Sequence, residues 1–323
     1  MEQYKTYIKD IDISLVIPVL NEEESIFSFV AAVAPILKAT KCDYELIFID
    51  DGSTDKTLEV LKKARLSLAE LKIVKFSRNF GKEAALTAGL FFSSGKAVIP
   101  MDVDLQDPPE VIPCLIKEWQ KGSKVVHAVR DDRQADSWLK RWTADKFYKL
   151  MRIITKVEIP VNSGDFRLMD RVVVDAILLF PERNRFMKGI MAATGFPTAT
   201  VTYTRPIRNK GNSKFNFWRL WNFALDGITG FSTVPLRVWA YIGGVVAIFS
   251  FIYACWIIIK TLTWGVVTPG FATLMTVVLF MGSLQLIGIG VLGEYIGRVF
   301  EETKHRPLYI IQETHGIDVN FNN

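Results

Sequence analysis

Cysteine is scarce in this chain. Three residues in 323, Cys42, Cys114 and Cys255, stand far apart with no C-x-x-C pair. That excludes a disulfide framework and a cysteine zinc site, and reads as reduced thiols in a cytosol-facing protein. Histidine is equally rare: His127, His305 and His315 offer no Ser-His-Asp arrangement, and His127 reads as a strand histidine without a chemical role. Glycine-rich phosphate loops are missing too. The first apolar strand runs into Pro18-Val19-Leu20-Asn21-Glu22 rather than G-x-G-x-x-G, and no G-x-x-x-x-G-K-[ST] occurs. A nucleotide diphosphate bound here would need a metal to neutralise its charge. The net charge of +5 is modest and suits an anionic membrane surface or a diphosphate. With no zinc-finger spacing and no RNA-binding aromatic motif, nucleic acid is not an expected partner. The first twelve residues are charged and lack an apolar core, so no cleaved signal peptide is expected.

Charge itself is lacking in two long stretches. Residues 238–259 are 22 in a row without a charged side chain; at 1.5 Å per residue they span roughly 33 Å, enough for a hydrocarbon core of about 30 Å. A second uncharged run covers 271–293, and the turn between them carries Trp264, Pro269 and Gly270. Two transmembrane helices in a hairpin are expected. Arg237 precedes the first, and Arg298, Lys304 and Arg306 follow the second. The positive-inside rule then puts both termini and the N-terminal domain in the cytoplasm, with the chain multi-pass in the inner membrane. Glu294, at the end of the second run, is expected at the interface. Residues 215–231 space Phe215, Trp218, Trp221, Leu225 and Ile228 by three and four, an amphipathic helix expected to lie on the membrane surface. Gly282, Gly288, Gly290 and Gly293 permit close helix packing, between copies in a homo-oligomer or within the hairpin. The expected organisation is a cytosolic domain over 1–212, a juxtamembrane helix over 213–235, two spans over 236–299 and a cytosolic tail over 300–323.

Up to residue 212 the chain reads as a soluble α/β domain. Apolar, β-branched strands are expected at 13–19, 44–49, 73–76, 97–101 and 125–129. Helical periods lie between them at 22–37, 55–69, 81–92 and 109–120, the second capped by Ser53 or Thr54. Alternation with near-continuous apolar strands implies a mostly parallel sheet with helices on both faces. Ligands of such sheets bind beyond the carboxyl ends of the strands. Those ends carry Pro18/Asn21/Glu22, Asp50/Asp51 and Asp102/Asp104, which are expected to converge on one crevice.

Asp102-Val103-Asp104-Leu105-Gln106 follows a strand. Two carboxylates at i and i+2 in a turn can face one pocket, and hard oxygens suit Mg²⁺ or Mn²⁺ shared with substrate phosphates. A lone D-x-D is a weak signal; its place after an apolar strand, with Asp50-Asp51 two strands earlier, strengthens it.

At this point several motifs agree. Pro18-x-x-Asn21-Glu22, Asp50-Asp51-Gly52-Ser53-x-Asp55, Arg78-Asn79-x-Gly81-Lys82 and Asp102-x-Asp104-Leu105-Gln106-Asp107-Pro108-Pro109 occur in order, followed by Ser163-Gly164-Asp165-Phe166-Arg167-Leu168 and Arg208-x-x-Gly211-x-Ser213-Lys214. Together they resemble family 2 glycosyltransferases of the dolichol-phosphate mannose synthase type. The two spans and Gly293-Glu294-Tyr295-Ile296-Gly297-Arg298 resemble the bacterial bactoprenol glucosyltransferases of the O-antigen-modifying kind. The resemblance implies a GT-A fold and transfer of one sugar, glucose from UDP-glucose, to a polyprenyl phosphate. Matched by position, Pro18, Asn21, Glu22 and Asp51 line the nucleotide pocket, Asp102 contacts the donor, and Asp104 and Gln106 hold the metal. Arg130 is a phosphate-binding arginine, and Arg208, Ser213 and Lys214 belong to a closing loop. Asp50 and Lys82, from the same motifs, join the donor set. Asp104, Arg130 and Asp102 form the catalytic set.

The chemistry can be argued from the residues as well. A phosphate monoester has its second pKa near about 6 and is already anionic at neutral pH, so it needs little general-base help. The work left is positioning and stabilising the departing diphosphate. In-line attack inverts the anomeric carbon. Asp50 is read as a pocket or structural residue rather than a base. The basic, aromatic segment 137–156 is open between a solvated face and contact with lipid head groups or the acceptor phosphate; Arg141 is its acceptor candidate, alongside Arg130 and Arg167. Mannose, N-acetylglucosamine and aminoarabinose donors share the frame. A processive polysaccharide synthase is disfavoured, because Trp138 stands where Q-x-x-R-W needs Gln. An inactive membrane scaffold with a nucleotide-binding domain is the reading from another class.

Overall fold

The computed structural model describes residues 11–130, 163–183, 185, 187–203, 234–264 and 270–317. The chain divides into two units, Met1–Asn216 with Arg306–Asn323, and Phe217–His305.

The first unit is built on an eight-stranded sheet. Its strands are β1 (Ile13–Val19), β2 (Tyr44–Asp50), β3 (Leu71–Phe76), β4 (Ala97–Pro100), β5 (Val125–Arg130), β6 (Ser163–Asp170), β7 (Thr198–Tyr203) and β8 (Ile311–His315). Their spatial order is β7-β5-β6-β4-β1-β2-β3-β8. The central strands β4, β1, β2 and β3 run parallel. They are buried on both faces, which is why they read as unbroken apolar runs. Helices α1 (Ile26–Ala39), α2 (Thr57–Ser67) and α4 (Ile112–Gln120) pack on one face around Phe29, Leu37, Phe48, Leu61 and Leu115. Helix α3 (Lys82–Phe92) packs on the other around Ile47, Ile49, Val74 and Phe76. Helices α5 (Arg171–Leu179) and α6 (Met187–Ala193) complete the described helices of this unit. Chain order reverses at β1, with β2 on one side and β4 on the other. That reversal makes the crevice expected from the acidic strand ends.

Besides the added strands β6 and β7, three features depart from the sequence reading. The first helix starts at Ile26, not residue 22, because Asn21 adopts φ 55 and its N–H donates to Ser53 Oγ at 3.0 Å. Lys56, with no side-chain cap, precedes α2; Asp55 rather than Ser53 or Thr54 accepts the Thr57 N–H, at 3.0 Å. Within the segment expected as a tail, residues 311–315 form β8, antiparallel to β3 at the edge of the sheet. Tyr309 stacks on Phe76 there, ring centroids 4.9 Å apart.

The second unit contains α7 (Val234–Trp264) and α8 (Phe271–Thr303). Both are long and apolar enough to cross a membrane. Their apolar side chains face outward: Phe249, Phe251, Leu262, Leu286 and Ile289 are all more than half exposed. A bilayer supplies the environment in which such exposure is favourable. Of the four small residues noted in α8, Gly288 is the one in tight contact. A Cβ there would lie 2.1 Å from Trp239 Nε1, whereas Gly282, Gly290 and Gly293 have nothing within 4 Å. The proposed surface helix at 215–231 lies outside the described residues.

Candidate active site

Three loops at the carboxyl ends of the parallel strands are tied to one another by polar contacts. After β1, Asn21 Oδ1 accepts the Thr54 N–H at 2.9 Å, while the Asn21 N–H donates to Ser53. Glu22 adds a second link, its N–H donating to Thr57 Oγ1 at 2.8 Å. After β2, Asp51 accepts the N–H of Phe80 at 2.7 Å through Oδ1 and that of Gly81 at 2.9 Å through Oδ2. Burial pushes the Asp51 carboxyl up, against the pull of those two N–H groups. Gly52 makes this approach possible. It has φ +74, and a Cβ on it would lie 2.3 Å from the Arg78 carbonyl carbon. The Asp50-Asp51-Gly52-Ser53 and Arg78-Asn79-x-Gly81-Lys82 motifs are therefore two halves of one turn assembly.

That assembly fixes the start of α3 and with it Lys82. The Lys82 ammonium lies 2.8 Å from both oxygens of Asp102 and 2.9 Å from Asp165 Oδ2. Burial works against its charge, but Asp165 and Asp102 outweigh that and hold it above the ordinary lysine range. Burial also pushes the Asp102 carboxyl up, reinforced by Asp165 and Asp104 and opposed by Lys82. Asp165 arrives from an antiparallel strand. Ala97 pairs with Asp170 and Val98 with Met169; continued beyond β4, that register sets position 165 level with position 102. The sequence quotes Asp165 inside a motif but assigns it no role, because the register that delivers it is a tertiary property.

Asp104 is exposed and accepts the Gln106 N–H at 3.1 Å, in a turn where Leu105 takes φ 52. Asp107 is buried and accepts the Tyr203 hydroxyl at 2.6 Å, which ties this loop to β7. Among the described residues no three His, Cys, Asp or Glu side chains form a ready metal cage. An exposed carboxylate with oxygen neighbours fits a Mg²⁺ or Mn²⁺ that takes the rest of its ligands from substrate phosphates and water. The candidates are Asp104, Gln106 and, if Lys82 moves aside, Asp102.

Other residues from the sequence reading fall differently. Pro18 is part of β1 at the crevice. Asp50 is fully buried, with Oδ1 accepting the Ser53 N–H at 2.8 Å and Oδ2 without a partner among the described residues. It shapes the turn from within. Arg167 is buried as well. It is 3% exposed, and its guanidinium turns back to donate to the Gly164 carbonyl at 2.6 Å. It is an interior cation compensated by Asp165 and Glu83. The backbone of Arg130 ends β5 and pairs with Tyr203. Arg141, Arg208, Ser213 and Lys214 lie outside the described residues.

The chain matches two family models: "Glycosyl transferase family 2" over residues 14–178 and "GtrB C-terminal hairpin" over 234–299. It is 54% identical over 303 residues to the SfII prophage-derived bactoprenol glucosyl transferase of Shigella flexneri, covering 94% of this chain and 98% of that one. It is 52% identical over 300 residues to a prophage bactoprenol glucosyl transferase homolog of Escherichia coli, covering 93% and 98%. It is 49% identical over 308 residues to the glycosyltransferase sll0501 of Synechocystis, covering 95% and 97%.

Proposed function

The chain belongs to glycosyl transferase family 2, and from that premise we propose that it moves a single sugar from a nucleotide-sugar donor to a polyprenyl phosphate at the cytoplasmic face of a membrane. The donor we propose is UDP-glucose, the sugar carried in the names of the Shigella and Escherichia relatives. The observation that carries the reading is the joining of Asp102, Lys82 and Asp165 at the strand ends of a chain that also carries two outward-apolar helices. A charged, hydrophilic donor and a lipid-borne acceptor are the two substrates those features suit.

In this reading an oxygen of the acceptor phosphate attacks the anomeric carbon in line. The bond from that carbon to the donor diphosphate breaks, and the configuration inverts. The acceptor is already anionic, so no side chain has to remove a proton from it. Asn21, Glu22 and Asp51 shape the nucleotide pocket through the loops they join. Asp104 and Gln106 would hold a divalent metal, which would supply positive charge to neutralise the departing diphosphate. Arg130 and, from the closing loop, Arg208, Ser213 and Lys214 supply further positive charge and donors. The basic residues flanking the helices, Arg237, Arg298, Lys304 and Arg306, support an orientation with the first unit in the cytoplasm.

The test is transfer by the purified full chain in detergent, with undecaprenyl phosphate and a panel of UDP-glucose, GDP-mannose, UDP-N-acetylglucosamine and UDP-aminoarabinose. One glucose per lipid is expected, abolished by chelation and by Asp104→Ala. Transfer from another donor alone would replace glucose. A polymeric product, or no transfer and no nucleotide binding, would reject the reading.

A further inference from the structure

Lys82 is in an unusual position for a lysine that opens a helix at a phosphate-handling site. Its ammonium is bound by both oxygens of Asp102 at 2.8 Å and by Asp165 at 2.9 Å. All three side chains stay accessible, at 45%, 43% and 35% exposure, so the arrangement can exchange with solvent and ligands. Asp102 is one residue removed from Asp104, and the two carboxylates feel each other's charge. A divalent cation entering beside them meets a positive charge already in place.

We infer that Lys82 is a displaceable internal counter-ion: it fills the acidic strand end while the site is empty and withdraws onto Asp165 when a divalent cation and a diphosphate enter together. This rests on the reading of Asp104 as the metal seat. The argument is electrostatic. With Lys82 in place, Asp102, Asp104, Asp165 and the ammonium carry a net charge near −2, one unit less attractive to a free divalent ion than the three acids alone. Addition of the diphosphate supplies the negative charge that lets ammonium and metal coexist. Asp165 has a defined part in the exchange, since it holds the ammonium within reach after Asp102 is released. Lys82 then sits as a donor beside the diphosphate instead of returning to the acid it left. Metal and nucleotide are therefore expected to bind with strong mutual dependence, each weak alone.

The prediction has opposite signs at the two ends of the same ion pair, which a merely structural role would not give. Mn²⁺ is titrated into the detergent-solubilised full chain and the free ion is followed by its electron paramagnetic resonance signal, without nucleotide and then with UDP. Without nucleotide, Lys82→Met should tighten Mn²⁺ binding about fivefold or more, a lower bound set by how one unit charge about 4 Å away acts even under the screening of bulk water. Asp165→Asn should weaken it by a similar factor, because the ammonium then rests wholly on Asp102. With UDP present, Lys82→Met should bind UDP more weakly than wild type does, and the mutual enhancement of Mn²⁺ and UDP should shrink. Thermal melting of each ligand-free variant reports whether it is folded. If both substitutions shift Mn²⁺ binding in one direction, or neither shifts it, the counter-ion role is overturned. If Asp104→Asn leaves Mn²⁺ binding unchanged, it is the metal seat itself, and the reading beneath this one, that falls.

Discussion

Tyr203, the last residue of β7, donates its hydroxyl to the buried carboxylate of Asp107 at 2.6 Å. The bond joins the loop that carries Asp102 and Asp104 to the strand at one edge of the sheet. Tyr203→Phe removes the donor and leaves a buried acid with one hydrogen bond fewer. A loss of about 1–3 kcal/mol is expected, read as a lower denaturation midpoint. A fall in metal affinity should accompany it, because the turn at Asp104 loses an anchor.

Asp51→Asn should weaken nucleotide binding through the turn it holds. The amide retains one acceptor and presents an N–H₂ where a second acceptor is needed, so one of the Phe80 and Gly81 N–H groups is left unpaired. The start of α3 loosens and Lys82 loses its aim. The expected cost is about 1–3 kcal/mol of stability, measured by melting, together with a rise in the Kd for UDP measured by calorimetry. Gly52→Ala should do the same by steric means, since its Cβ would meet Arg78 backbone.

His127 gives the protein a calculable pH response. It is 4% exposed, faces Arg167 across the β5–β6 ladder, and has Nδ1 without a hydrogen-bond partner among the described residues. Burial, then the Arg167 charge, pushes its pKa down to about 4. An unfolded histidine titrates near about 6.5, so between these values the unfolded chain binds the proton and the folded chain does not. Stability should therefore fall as pH drops from about 6.5 towards 4 and owe nothing further to this residue below that. His127→Gln should flatten that limb of a urea-midpoint profile, whatever its effect at neutral pH. An unchanged slope would show that His127 is charged in the fold.

Gly288→Val should disrupt the hairpin. The added carbons would overlap the Trp239 indole, whose Nε1 lies 2.1 Å from an ideal Cβ. Overpacking of this kind costs about 1–3 kcal/mol. It should appear as a lower melting temperature of the full chain in detergent, while Gly282→Ala, in open space, changes little.

How far the fold was legible in the sequence depended on burial. Ile13–Val19, Tyr44–Asp50 and Ala97–Pro100 are covered on both faces, so apolar runs mark them within a residue or two. Ser163–Asp170, Thr198–Tyr203 and Ile311–His315 were not read as strands. The first carries Asp165 and Arg167 inside a sheet, the second is largely exposed, and the third is a polar edge of five residues. Each is held by its neighbours' register more than by its own pattern. The same cause hides the surroundings of charged residues. Arg167 and Asp50 stand in polar motifs, yet each is buried with compensation from residues distant in sequence or in a turn. The acidic strand ends were legible because they stop apolar strands, and that signal is local.

The strand β8 also governs the order in which this protein can be finished. Its residues follow both long helices in the chain, and they supply the outer edge next to β3. Both long helices must leave the ribosome before that edge exists. Until then β3 offers unpaired backbone groups to any other extended chain. A shortened version ending near residue 305 would keep that exposure permanently. Aggregation of such a truncation would reflect a missing strand, and a peptide spanning 306–317 is the natural reagent to restore it.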